Sequence, residues 1–250
     1  MDLYESIRGV WKENSIDSLA ALEEILYNYR IIFAYNSGKI ENEDVTYHDT
    51  REIFENGKVL NYTGSPRALF ETQNQKLCYD FLKDKIITRE SMTSTLVLEI
   101  HGILTSGTYD ERRFVERGER PGSYKKHDYV TGRNNVGYPP EQVEAAITEL
   151  LDEINKYDGD NVLKAAAYQH ARFEYIHPFA DGNGRTGRTL LNYYLLTRSE
   201  PPVVIYDEDK KEYYDALEQY DTSEDISQMT EFLKMQTVKT WDYLLTRGNK

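Results

Sequence analysis

A twelve-residue run between two helical patterns holds the residues best suited to chemistry: His177-Pro178-Phe179-Ala180-Asp181-Gly182-Asn183-Gly184-Arg185-Thr186-Gly187-Arg188. Proline disfavours helix in the residue before it, so the preceding helix ends ahead of Pro178, and Gly182 to Gly184 supply a tight loop that opens the next helix. Backbone N–H groups of such a loop approach an anion closely, and the helix dipole adds to the attraction, a geometry suited to phosphate. Arg185 and Arg188 share one helical face, within reach of a polyphosphate resting on the loop. Asp181 offers a hard oxygen ligand to a Mg²⁺ that bridges the phosphates. His177, at the lip, can accept the proton of an incoming hydroxyl, help typically worth about 10²- to 10⁴-fold in rate.

Taken singly, each residue has an ordinary reading. A histidine before proline is commonly a helix end, Asp-Gly-Asn-Gly a surface turn, and an arginine pair a solvated basic face. Nine specified positions at about one in twenty each recur by chance on the order of 10⁻⁹ times in a chain of this length, so their conjunction decides for a site.

The elements that must position this run read as helices, because apolar residues recur every three or four positions. Val143, Ile147, Leu150 and Ile154 mark a helix from Pro140 that residues 157–160 terminate. Similar patterns predict helices over 18–35, 66–85, 91–105, 161–176, 184–197, 209–220 and about 223–245. Asn36-Ser37-Gly38 is expected to end the first of these, and Glu41 to Asp44 forms an acidic cluster before Thr46. Between Gly118 and Pro140, the alternation of Tyr124, Lys126, Asp128 and Val130 suits a short β-hairpin turning near Asn134-Asn135. The first seventeen residues carry no such assignment.

Composition narrows the partners. Thirty Lys and Arg against 43 Asp and Glu give a formal net charge of −13, which repels nucleic-acid backbones and anionic lipid. Cys78 is the only cysteine, so no intrachain disulfide exists and the residue reads as a small core group. No segment approaches the ~20 apolar residues that span a bilayer, and a soluble, cytoplasmic protein without a membrane partner is expected.

The run matches the signature of the Fic family, His-Pro-Phe-x-Asp-Gly-Asn-Gly-Arg-x-x-Arg, at every fixed position. The resemblance implies a mostly α fold, a Fic-type helical core with a short β-hairpin flap, whose two central helices flank the loop. It also implies ATP as co-substrate and Mg²⁺ as cofactor in a protein adenylyltransferase that moves AMP onto a Ser, Thr or Tyr hydroxyl of a target protein or of itself. By position, His177 would deprotonate the hydroxyl and Asp181 bind the metal. Gly182, Asn183 and Gly184 would form the anion hole, with Arg185 and Arg188 holding the β- and γ-phosphates. Gly122, Ser123, Tyr124, Lys125 and Lys126 look like the start of the family's flap, on which a target segment docks as an added strand through backbone hydrogen bonds. Tyr213 and Tyr214 look like the segment that borders the adenine. Gly184 stands where the phosphate-transferring Doc toxins carry lysine, which favours AMP transfer; UMP and phosphocholine remain open as donors.

Ser37-Gly38-Lys39-Ile40-Glu41-Asn42 resembles the family's autoinhibitory pattern. Glu41 would pair with Arg188 in place of the γ-phosphate, and Ser37 would fix the inhibitory helix. In some relatives the same glutamate helps water remove AMP, so a bifunctional enzyme is an alternative reading. A second is a nucleotide-binding interaction module without turnover, against which the intact His177 argues. The expected organisation is an N-terminal helical segment over 1–65 and a catalytic core with C-terminal helices over 66–250. A homodimer through a C-terminal helix bearing Trp241 and Leu244 is a further expectation.

Overall fold

The computed structural model describes residues 2–14, 16–130 and 137–247. Its helices run in the order α1 (Leu3–Glu13), α2 (Leu19–Ile25), α3 (Tyr29–Glu41), α4 (Tyr47–Asn56), α5 (Pro66–Ile87), α6 (Ser94–Leu104), α7 (Pro140–Lys156), α8 (Val162–Ile176), α9 (Asn183–Thr197), α10 (Lys210–Ser223) and α11 (Ser227–Arg247). Side chains that satisfy the orphan N–H groups of the first turn open many of them. Thr46, Ser65, Thr93 and Asn161 cap α4, α5, α6 and α8 in this way, and Pro66 occupies the first turn of α5, where its missing N–H is harmless.

At the centre lies α9, every residue of which is buried from Arg185 to Leu195. A helix buried all round must be walled on all sides, and α3, α5, α6 and α8 supply the walls. Arginines on such a helix therefore need internal counter-charges, and the surrounding helices provide them.

Several expectations change. The chain turns at Leu26–Asn28, so 18–35 is two helices; the break lets both Leu26 and Tyr29 face the core. Asn36-Ser37-Gly38 does not end α3, which continues to Glu41. Gly38 serves close packing instead, since a Cβ there would stand 3.3 Å from a Val45 methyl. The first residues form α1, whose Tyr4, Ile7 and Trp11 pack on α11, while Arg8 grips the buried Glu200 at 2.7 and 2.6 Å. Trp241 is accordingly no exposed interface residue. It is 1% exposed, edge-on to Trp11 at 4.8 Å and stacked on Tyr29 at 5.5 Å.

The expected hairpin is not seen as such. Among the described residues none lies in a strand, and the turn near Asn134-Asn135 falls outside them. The first arm is irregular because its polar groups turn inward on one carboxylate. Buried Glu119 accepts the Lys126 N–H at 3.1 Å, the Tyr129 hydroxyl at 2.9 Å and lies 2.9 Å from His127 Nδ1.

Candidate active site

Helix α8 ends on His177, held at φ +52° in the left-handed region, and Gly182 at φ +77° begins the turn into α9. A Cβ on Gly182 would collide with the Thr105 methyl, so glycine is required there by space as well as by conformation. Inside the turn, the Asn183 side chain is oriented by Phe179, whose N–H donates to Oδ1 at 2.9 Å. Its Nδ2 therefore faces both the Phe179 carbonyl and His177 Nε2, each at 2.8 Å. Since Nδ2 can only donate, Nε2 of His177 must carry the lone pair. Burial, followed by the nearby Lys125 charge, lowers the His177 pKa to about 4, so the ring is neutral at physiological pH.

Backbone hydrogen bonds flank that histidine. Lys125 N–H donates to the Pro178 carbonyl at 2.9 Å and Tyr138 N–H to the Ile176 carbonyl at 3.0 Å, so both arms of the 118–140 segment dock beside His177. Gly137, at φ +66°, passes so close that a Cβ would lie 2.6 Å from His177 Cβ. Lys125 is buried, whereas Ser123 and Lys126 face outward. Gly122 donates its N–H to His101 Nδ1 at 2.9 Å, and Tyr124 stacks on Phe179 at 5.8 Å.

The two arginines point to different counter-charges. Arg185 meets Glu71 of α5 at 3.2 Å and Asp181 at 3.9 Å. Asp181 is also held by Arg67 at 2.7 Å, and Arg67 in turn by Glu71 at 2.9 Å. Arg188 donates through Nε to Ser37 Oγ at 3.0 Å, and through Nη2 to the Ser37 carbonyl at 2.8 Å and Glu41 Oε1 at 2.9 Å. Glu41 Oε1 also rests on Gly184, where a Cβ would collide with it. The sequence motif of α3 is thus brought onto the loop helix across about 150 residues of chain. Tyr213 is buried, with its hydroxyl 2.9 Å from His170 Nε2; Tyr214 is 43% exposed beside it.

Three further groups were not singled out from sequence. His101 accepts from Gly122 at Nδ1, so its Nε2 carries the proton and donates to the Asp181 carbonyl at 3.0 Å. It also stacks on Phe179 at 3.6 Å, tying α6, the flap and the loop together, and burial drops its pKa to about 3. Glu71 is the buried partner of Arg185. Glu174, one turn before His177, lies against Gly187, and burial lifts its carboxyl to about 8 despite the attraction of Arg188. For His101 a polar residue among Val97, Leu98 and Leu104 was the available signal, but it named no partner.

Fold and site together define a helical domain built round a glycine loop at the N-terminus of a buried helix. Residues 91–195 match the model of the Fic/DOC family. It is similar to a protein adenylyltransferase Fic of Nematostella vectensis, 29% identical over 84% of this chain and 48% of that protein. A protein adenylyltransferase of Caenorhabditis elegans is 26% identical over 82% of this chain and 39% of its own length. The chain thus spans less than half the length of these curated relatives. In fold it resembles the crystal structure of a Fic-domain signalling protein from Bacteroides thetaiotaomicron, with TM-score 0.85 and 22% identity over 99% of this chain and 98% of that one. No helix among the described residues is long and apolar enough to cross a membrane.

Proposed function

We propose that this chain is a protein adenylyltransferase that moves AMP from ATP onto a Ser, Thr or Tyr hydroxyl of a target protein, restrained by Glu41. The observation that carries the reading is a neutral His177 whose Nε2 lone pair stands at the lip of a glycine loop backed by two buried arginines. The names of the relatives support the donor and the reaction class.

In this reading His177 Nε2, released from Asn183 Nδ2, takes the hydroxyl proton and the freed oxygen attacks the α-phosphorus. The bond from that phosphorus to the bridging oxygen breaks, and pyrophosphate leaves on Arg185 and Arg188, which stabilise its charge. Backbone N–H groups of Asn183 and Gly184 receive the negative charge that develops on the α-phosphoryl oxygens, the Gly182 N–H being held by Asp181 Oδ1 at 2.8 Å. Tyr214 would border the adenine, with Tyr213 behind it, and a target segment would align along 122–126.

The donor set suits Mg²⁺. Among the described residues no cluster of three ligating side chains exists, and one carboxylate completed by phosphate oxygens is a normal magnesium arrangement. Asp181 would hold the ion once Arg67 gives way. Bound there, the ion would neutralise phosphate charge.

Glu41 occupies both Arg188 and the space above Gly184, so a polyphosphate on the loop must displace it. The test is transfer of label from α-labelled ATP with Mg²⁺ to the protein itself and to a cell lysate. Label should rise about tenfold or more in Glu41→Ala and fall about 10²- to 10⁴-fold in His177→Ala. No label from any folded variant would overturn the reading.

A further inference from the structure

Asp181 offers two carboxylate oxygens, and both are taken. Oδ1 accepts the Gly182 N–H at 2.8 Å, a bond inside the loop turn, and Arg185 Nη2 stands 3.9 Å from it. Oδ2 accepts from Arg67 Nη2 at 2.7 Å. The oxygen that remains for a metal ion is therefore the one that Arg67 covers.

Nothing in α5 itself favours a cation at this point. Arg67 follows Pro66 in the first turn, where orphan N–H groups and the helix dipole already place positive charge and where a carboxylate is the stabilising residue. Its pairing with Glu71, four residues on, runs in the less favourable order for an ion pair along a helix. What holds Arg67 is two carboxylates at once, Glu71 Oε1 on Nε at 2.9 Å and Asp181 Oδ2 on Nη2 at 2.7 Å. The two partners differ in access to water. The Glu71 side chain is 2% exposed and also receives Arg185 at 3.2 Å and Asn42 Nδ2 at 3.0 Å, whereas Asp181 is 17% and Arg67 42% exposed. An exposed fork on a long stem can leave Asp181 while its Nε stays on Glu71.

We propose that Arg67 is a positioning residue for the metal ion: it holds Asp181 Oδ2 as a resident counter-ion, and a divalent cation binds by displacing it. The inference deepens the proposed function and rests on it for the role of Asp181. A cation that must first be displaced lowers the apparent affinity of the ion, so Arg67 sets how much Mg²⁺ the reaction requires. The site then carries two resident charges, Glu41 on Arg188 and Arg67 on Asp181. Each is exchanged for the part of a metal–nucleotide complex that bears its own sign.

The experiment uses the full chain carrying Glu41→Ala, with Mn²⁺ as the probe and α,β-methylene-ATP, whose P–C–P bridge blocks AMP transfer. Free Mn²⁺ is read from its EPR signal. Adding Arg67→Met should lower the Mn²⁺ dissociation constant about tenfold. Adding Arg113→Met removes an equal charge, bonded to the Ala180 carbonyl at 3.1 Å, and should leave the constant unchanged. In the label assay, the Mg²⁺ concentration giving half the maximal rate should fall in parallel with Arg67→Met. Equal constants with and without Arg67 make the contact a structural ion pair and overturn the proposal. Equal tightening by both substitutions reduces the effect to net charge and overturns it too. Crystals of Glu41→Ala with the same ligands need no Arg67 variant to fold: anomalous manganese density should lie beside Asp181 Oδ2, with Arg67 Nη2 withdrawn. Manganese there with the arginine contact intact overturns the exchange. Tighter Mn²⁺ binding by Arg67→Met in a chain that never transfers label leaves the proposal standing and sinks the transferase reading, whereas label transfer with manganese away from Asp181 does the reverse.

Discussion

Arg185 and Arg188 lie one turn apart on α9 and are equally buried, yet their counter-charges come from different kinds of place. Glu71, the partner of Arg185, is 2% exposed and fixed by Arg67 and Asn42 as well, whereas the Glu41 side chain is 34% exposed at the end of α3. A carboxylate enclosed on all sides can leave only at the cost of an unpaired buried charge. One that reaches water on one face can exchange with a phosphate. On the proposed function the Arg185 side would be a permanent cradle and the Arg188 side a removable cap.

The strongest way to break this contrast is to remove each partner in turn and measure unfolding by denaturant. Glu71→Ala should destabilise the fold by about 3–5 kcal/mol, because it strands Arg185 with Asp181 only at 3.9 Å. Glu41→Ala should cost about 1 kcal/mol or less, since water can replace an exposed carboxylate. Equal losses would show that Glu41 is as structural as Glu71.

The lip shared by both sides is probed by pH. A base is useful only while unprotonated, so transfer by Glu41→Ala should hold steady as pH falls past 6.5 and decline only towards the His177 value of about 4. A limb centred at 6.5 would place His177 in open water. Stability should respond earlier. His101 and His177 bind protons in the unfolded chain near 6.5 but in the folded one only near 3 and 4, so their contribution to stability is complete above 6.5 and is lost as pH falls below it.

The smallest effect concerns Glu174, the second carboxyl on the Arg188 side. Its folded pKa of about 8 lies above the ordinary 4.5, so stability present below pH 4.5 is lost as pH rises through 8. Glu174→Gln lacks that loss, and its Tm advantage over wild type should grow between those limits, by about 2–4 °C in melting curves for each kcal/mol of that loss. No such growth would mean that Glu174 is ionised and shares Arg188 with Glu41, which weakens the picture of a single removable cap.

Helix positions were legible where apolar spacing was regular, as in α7, and where caps marked the ends, as with Ser65-Pro66. Asn36-Ser37-Gly38 misled because glycine reads locally as a stop, while its actual role, close approach to Val45, depends on a contact that no local pattern encodes. The hairpin expected over 118–140 failed in its first arm for a related reason. The alternation of Tyr124 to Val130 was real, but buried Glu119 takes the Lys126 N–H that a partner strand would need.

By itself the sequence determined the loop, because proline, glycine and the helix that follows act within a few residues of one another. It also determined which groups are chemically able to act, His177, Asp181, Arg185 and Arg188, and it named Glu41 as a partner for Arg188. What only the tertiary structure decided is the state of those groups. Asn183 assigns the His177 lone pair to Nε2, Glu71 neutralises Arg185 from 114 residues away, and His101 ties the flap to the loop. These depend on burial and on hydrogen-bond direction, which exist only once distant helices have closed round α9.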